Sequence, residues 1–310
     1  MLRSHMFTTP SRIRAGTNDG CYSQTMSCNH SHYTVSHFNC LFYALKVIKI
    51  KVLIIAKDNS KIGLEVGDAH AGVNGFEGQN MPLICDNVAF TYPEAQYPLF
   101  TDVSLQLTAP GFHSFFGPSG VGKTSLAKII TGNITQSSGK IVTQGLNTLL
   151  YSHNKERLPG WSGVGLHLTR VTPPSRHAKK DELVEIFGLA DCINSRFDQL
   201  SMGQQNRINL IRYLLQDCDL LIMDESLANV DEGTREKIIL TIKAMFPERY
   251  FIYISHNVLE VAKFCDLIQV FRSIDKAPQT IMIKGCNHKK DASLAAAALD
   301  GSLLEIMNAA

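Results

Sequence analysis

A chain of 310 residues, 45% hydrophobic and 19% charged, is long enough to bury one large core or two modest ones, which places it among globular proteins. With 30 basic and 28 acidic residues its formal charge is only +2, so composition points to neither nucleic acid nor a polybasic membrane patch. Eight cysteines contain no C-x-x-C pair and are too sparse for a disulfide framework, so they are read as reduced and cytosolic.

Residues 1–80 are rich in Ser, Thr, Asn and His and include the aperiodic stretch GDAHAGVNGFEGQN. This polar bias, with a glycine-rich stretch that has no period, predicts a poorly ordered extension, dispensable for activity, with the natural domain starting near Met81. CNHSH, with His37 and Cys40 nearby, matches no standard metal spacing and reads as a solvated polar tail. The apolar run LFYALKVIKIKVLII (41–55) falls short of the ~20 residues a spanning helix needs, and Lys46, Lys49 and Lys51 interrupt it. Alternation over 47–52 predicts a strand instead.

From Met81 the pattern changes: alternating or continuous apolar segments predict strands at 83–91, 102–108 and 112–116. Then come a helix at 122–131, a strand at 139–143, and helices at 179–187 and 203–216. Next are a strand at 219–223, a helix at 233–245, a strand at 250–254, a helix at 257–264 and a strand at 267–271. Strands alternating with helices predict an α/β domain with a largely parallel sheet. LLIM and FIYI, apolar throughout, belong at the middle of that sheet, covered on both faces. The domain is expected to run over 81–284, and the tail 285–310 to end in an alanine-rich helix containing Gly301, with no readable role.

Between the third strand and the first helix lies GPSGVGKTS: Gly117, Pro118, Ser119, Gly120, Val121, Gly122, Lys123, Thr124 and Ser125. This satisfies G-x-x-x-x-G-K-[ST], and its strand–turn–helix setting is what phosphate binding needs. Glycines let the backbone wrap closely, so that successive N–H groups and the helix N-terminus face an anion. Lys123 is expected to reach the β and γ phosphates, Thr124 to ligate Mg²⁺ and Ser125 to hold a phosphate oxygen. A hundred residues on, LLIMDES ends a strand in Asp224, suited to the magnesium shell, and Glu225, placed to polarise an attacking water.

LSMGQQNR (200–207), SLANVD and YISHN complete the pattern. Together with the phosphate loop they resemble the ATP-binding cassette of ABC transporters over about residues 83–272. The resemblance implies a phosphate-loop ATPase sheet with an antiparallel β subdomain and a short helical subdomain. It also implies ATP and Mg²⁺ as cofactors, and Tyr92 as the aromatic that stacks on adenine. Ser201, Gly203 and Gln204 would meet the γ-phosphate held by a second cassette, Asp231 would cross the dimer interface, and His256 would hold the γ-phosphate and the water. One phosphate loop and one signature imply a homodimer or a heterodimer with a related cassette. They further imply separate membrane permease subunits, with this chain cytoplasmic and peripheral on the inner face of the cell membrane, and no nucleic-acid partner. The other reading is a soluble cassette ATPase that remodels a complex or assembles a cofactor without transport. A third, a regulator that binds ATP without turnover, is disfavoured by the presence of Lys123, Glu225 and His256.

Three departures from the family pattern stand out. Met202 replaces the first glycine of the signature, and Ser226 replaces the proline after the glutamate. The glutamine that touches Mg²⁺ and the water is missing from WSGVGLHLTRVTP (161–173). Counting back from Pro173 puts His167 in its place, with Thr169 as the second candidate, or leaves the glutamine unreplaced and His167 merely packed. The short stretch from His167 to the signature leaves room for about two short helices, where a permease would dock.

Overall fold

The structure, a computed structural model, describes residues 83–158 and 160–310. The expectations for residues 1–80, including the strand at 47–52, lie outside the described residues.

Three strands form a small antiparallel sheet: β1 (Leu83–Phe90), β2 (Phe100–Leu107) and β4 (Ser138–Val142), in the order β2-β1-β4. The alternation read in β2 is observed, Phe100, Val103, Leu105 and Leu107 facing in and Thr101, Asp102, Ser104 and Gln106 facing out. The second sheet has six strands in the order β5-β6-β7-β3-β8-β9. These are β3 (Gly111–Phe116), β5 (Leu149–His153), β6 (Leu220–Asp224), β7 (Tyr250–Ile254), β8 (Leu267–Phe271) and β9 (Thr280–Lys284). All neighbours run parallel except β8 and β9. The two strands expected at the middle, β6 and β7, are both interior and buried along their whole length, with β7 beside β3 at the centre and β6 next to the edge strand β5.

Burial on both faces follows from the period of two along each strand. Leu220 and Ile222 of β6, with Tyr250, Ile252 and Ile254 of β7, join a core shared with the antiparallel sheet and with α1 (Lys123–Ile130). Leu221, Met223, Phe251 and Tyr253 point the other way, into a core built with helices. Those helices include α2 (Val164–Val171), α3 (His177–Ile186), α4 (Met202–Leu214), α5 (Glu232–Met245), α6 (Val258–Phe264) and α7 (Ala296–Ala309). Each fully buried Leu or Ile contributes roughly 1.5–3 kcal/mol of transfer free energy, so the two cores weld the antiparallel sheet, α1 and the parallel sheet into one support for the loops at the strand ends.

Three elements escaped the sequence pattern. β5 has only five residues and no alternation, four of them being half-buried. α2 includes Gly165 and three β-branched residues, weak helix formers held by tertiary packing of Val164 and Leu168. β9 lies beyond a turn containing Pro278 and pairs antiparallel with β8, a pairing that adds an edge strand.

Candidate active site

The phosphate loop sits where β3 gives way to α1. Gly122 has φ 103°, and a Cβ there would lie 2.6 Å from the ring of Phe100, so both conformation and space exclude any side chain. Lys123 turns back over the loop and donates from Nζ to the carbonyls of Gly117 at 2.7 Å and Pro118 at 2.6 Å. Burial pushes its pKa down, while the carboxylates of Asp224 and Glu225 pull the other way. Thr124 Oγ1 donates to Asp224 Oδ2 at 2.7 Å across 100 residues of sequence. Ser125 Oγ is hydrogen-bonded to the hydroxyl of Tyr92 at 2.8 Å. The Tyr92 ring meets Phe90 edge-on at 4.7 Å and remains 44% exposed, leaving a face free to stack.

Glu225 follows β6 in the left-handed region at φ 51°, a costly conformation for a non-glycine residue and one found at functional sites. Both of its carboxylate oxygens are held: Oε1 pairs with His256 Nε2 at 2.8 Å, and Oε2 accepts from Asn154 Nδ2 at 2.8 Å. A cavity of about 360 Å³ brings these groups together, lined by Tyr92, Ser119, Gly120, Gly122, Lys123, Thr124, Ser125, Asp224, Glu225 and His256. Gly117, Pro118 and Val121 belong to the same loop, two of them as the wall's backbone acceptors for Lys123.

Two side chains at this site were not anticipated. Tyr151 donates its hydroxyl to Asp224 Oδ2 at 2.7 Å; burial, and then that hydrogen bond, push its pKa up and keep it a neutral donor. Asn154 is the second. Both come from β5 and the turn after it, whose parallel register sets His153 opposite Asp224. The only sequence signal was the short run LLYSH after a Gly-containing turn.

His167 is a correction. It lies on α2, not among the residues lining the cavity, and the charges that reach it are those of Arg212 and Arg170. Burial lowers its pKa, those two cations lower it further, and Nε2 is buried without a partner among the described residues, which is the packed alternative for this side chain. Thr169 is tied to Lys180 Nζ at 3.0 Å. Sheet register sets Asn154, and not His167, beside the glutamate. His167→Ala is accordingly expected to leave ATP turnover within about twofold, whereas Asn154→Ala lowers it roughly tenfold or more; steady-state phosphate release measures both.

The signature lies at the start of α4, outside the cavity. Ser201 and Gln204 form a reciprocal cap: Ser201 Oγ accepts from Gln204 N at 3.3 Å, and Gln204 Oε1 accepts from Ser201 N at 2.8 Å. A Cβ on Gly203 would come within 2.3 Å of the Asn229 carbonyl oxygen, so this glycine is required by contact within the chain itself. Met202 is half exposed. Asp231 caps α5, its Oδ1 accepting from Thr234 N at 2.9 Å, and that bond holds its pKa down. Ser226, in place of the proline, donates to the backbone oxygen of Ser152 at 3.1 Å and lies 3.0 Å from its hydroxyl.

A metal at Thr124 and Asp224 would meet oxygen donors only. A hydroxyl and a carboxylate 2.7 Å apart suit Mg²⁺, which takes few protein ligands and fills its octahedron with water and phosphate oxygens.

The family model described as ABC transporter matches residues 100–228, from β2 through the segment after Glu225. Over residues 100–228 the chain is therefore similar to an ABC transporter domain. The taurine import ATP-binding protein TauB of Pseudomonas fluorescens is 33% identical over 168 residues, which cover 50% of this chain and 64% of that protein. The molybdenum import ATP-binding protein ModC of Saccharophagus degradans is 29% identical over 190 residues, covering 55% of this chain and 52% of that one. The chain thus spans less than two thirds of the length of these curated relatives. A bacterial Atm1-family ABC exporter solved with ATP bound superposes with a TM-score of 0.54 at 23% identity, over 67% of this chain and 39% of that one. A putative metal-chelate type ABC transporter in an inward-facing conformation gives 0.54 at 17% identity, over 66% and 84%. The fold is that of an ABC cassette: a mixed α/β sheet, an antiparallel β subdomain and a helical segment between β5 and β6.

Proposed function

We propose that this chain binds and hydrolyses ATP with Mg²⁺ as the ATP-binding subunit of an ABC transporter, driving separate permease subunits from the cytoplasmic face of the membrane. One observation carries the reading: Lys123, Thr124 and Asp224 converge on the same cavity as a Glu225 carboxylate held from both sides. Lys123, released from the loop carbonyls, would take the β and γ phosphates, with the loop's N–H groups around them. Thr124 and Asp224 would hold Mg²⁺, which supplies charge neutralisation across the phosphates. Glu225 would accept a proton from the attacking water, and His256 and Asn154 orient its oxygens. Tyr92 would stack on the adenine.

Ser201, Gly203 and Gln204 lie outside the cavity of their own chain, which supports their use by the nucleotide of a second cassette, with Asp231 at the interface. The helix start they form offers its positive end to that anion. Among the described residues no helix is long and apolar enough to cross a membrane, which supports separate permease subunits. Trp161, Leu166 and Val171 are exposed apolar side chains beside and along α2 that docking of such subunits could cover. TauB and ModC are import proteins by name, which favours uptake as the direction.

Purified chain is expected to release phosphate from ATP only with Mg²⁺, more than linearly in protein concentration as cassettes pair. No phosphate release at any concentration would overturn hydrolysis. A photo-crosslinker at position 161 is expected to capture a multi-span membrane protein; capture of soluble proteins alone would favour the soluble reading.

A further inference from the structure

The turn after β5 is braced along one face of the signature helix. Glu156 carries most of the brace: one carboxylate oxygen pairs with the Arg212 guanidinium, and Oε2 accepts from the Tyr213 hydroxyl at 2.8 Å. Its backbone oxygen accepts from Asn209 Nδ2 at 2.9 Å. The ion pair is well buried, the side chains being 8% exposed for Arg212 and 20% for Glu156. Arg157 closes the turn by donating to the carbonyl of Asn154 at 3.0 Å, and reaches Met202 Sδ at 3.3 Å. Met202, Asn209 and Tyr213 recur on one face of α4, so the contacts follow the helix for about 16 Å at 1.5 Å per residue. At the other end of the same four-residue turn, Asn154 holds Glu225.

The geometry points to Glu156 as a positioning residue that couples the signature helix to the glutamate: it holds the turn on α4, and so sets the reach of Asn154 to Glu225. Met202, the departure from the family glycine, is on this view the far end of the brace, because only a side chain gives Arg157 something to touch. The inference rests on the proposed ATPase reading, in which Glu225 acts on water and the signature acts on a partner's nucleotide. A shift of α4 when a second cassette engages its N-terminus would then move Asn154 relative to the carboxylate, because polar contacts anchor every step between them.

The test is a double-mutant cycle. Glu156→Gln is expected to lower kcat roughly tenfold, the scale of a misplaced catalytic group, with ATP affinity within about twofold, since Glu156 does not line the cavity. Glu156→Asp keeps the charge on Arg212 and should recover turnover to within roughly threefold, which guards against a loss due only to misfolding. Asn154→Ala combined with Glu156→Gln is expected to be no slower than Asn154→Ala alone. Multiplicative losses, or an unchanged kcat in Glu156→Gln, overturn the coupling. Hydrogen exchange of amides 153–158 in nucleotide-free protein separates this from the parent reading. Faster exchange in Glu156→Gln supports the brace whether or not ATP is turned over, and unchanged exchange refutes it. A chain with an intact brace but no wild-type turnover refutes only the ATPase reading.

Discussion

Glu225→Gln is expected to stop ATP turnover while leaving ATP bound, with a fall in kcat of roughly 10²- to 10⁴-fold. The physical case is the geometry of one carboxylate. Glu225 sits at φ 51°, just beyond a strand buried along its full length, so the backbone aims it and the side chain has little freedom to leave. His256 takes one oxygen and Asn154 the other, leaving the remaining lone pairs for a water. The amide of glutamine keeps the size of the side chain but cannot take a proton, so the loss falls on chemistry rather than on folding. Phosphate release and binding of a fluorescent ATP analogue, measured on the same preparation, separate the two. A hydrolysis rate equal to that of the wild type would refute the general-base role and leave a nucleotide-binding regulator as the better reading.

Lys123→Ala is expected to abolish binding rather than chemistry. Lys123 is 6% exposed, and its ammonium is the only side-chain donor to the Gly117 and Pro118 carbonyls among the described contacts. Alanine removes the cation that would face the phosphates and leaves those carbonyls without it, so the loop loses both charge and shape. ATP affinity should fall about 100-fold or more, close to 2.7 kcal/mol. Arginine does not rescue it, because a planar guanidinium needs space the folded-back lysine does not use. Thermal unfolding gives the check: ATP in large excess over its Kd raises the wild-type midpoint by mass action, and leaves that of Lys123→Ala unmoved. An equal ATP-induced rise in both proteins would show that the nucleotide does not use this loop.

The brace between α4 and the glutamate also explains why two departures from the family pattern are compatible with an intact site. Ser226 spends its hydroxyl on Ser152 of β5, tying the loop after Glu225 to the strand that delivers Asn154. A proline has no hydroxyl to do so. Met202, where a glycine is usual, meets Arg157 from the same turn. Ser226 and Met202 thus each contact β5 or the turn after it from the elements that carry the glutamate and the signature.

What the sequence determined by itself was whatever is local. The phosphate loop is a contiguous strand–turn–helix in which Gly122 and Lys123 do their work through neighbouring backbone, so spacing alone identifies it. Asp224 and Glu225 were legible because a buried parallel strand delivers the residues at its carboxyl end to the side of the sheet where ligands bind, and the Ser201–Gln204 pair because a helix cap is written within four residues. The strand pattern likewise gave the largely parallel sheet and marked β6 and β7 as interior strands, covered on both faces. Only the tertiary structure decided which residue stands beside the glutamate. His167 fitted a count along the chain, but it lies on α2 away from the cavity, whereas Asn154 reaches Glu225 because β5 pairs with β6 in parallel register. That pairing brings residues 71 apart to 2.8 Å through hydrogen bonds of a five-residue strand with no hydrophobic period, and short non-local pairing leaves no trace in linear spacing.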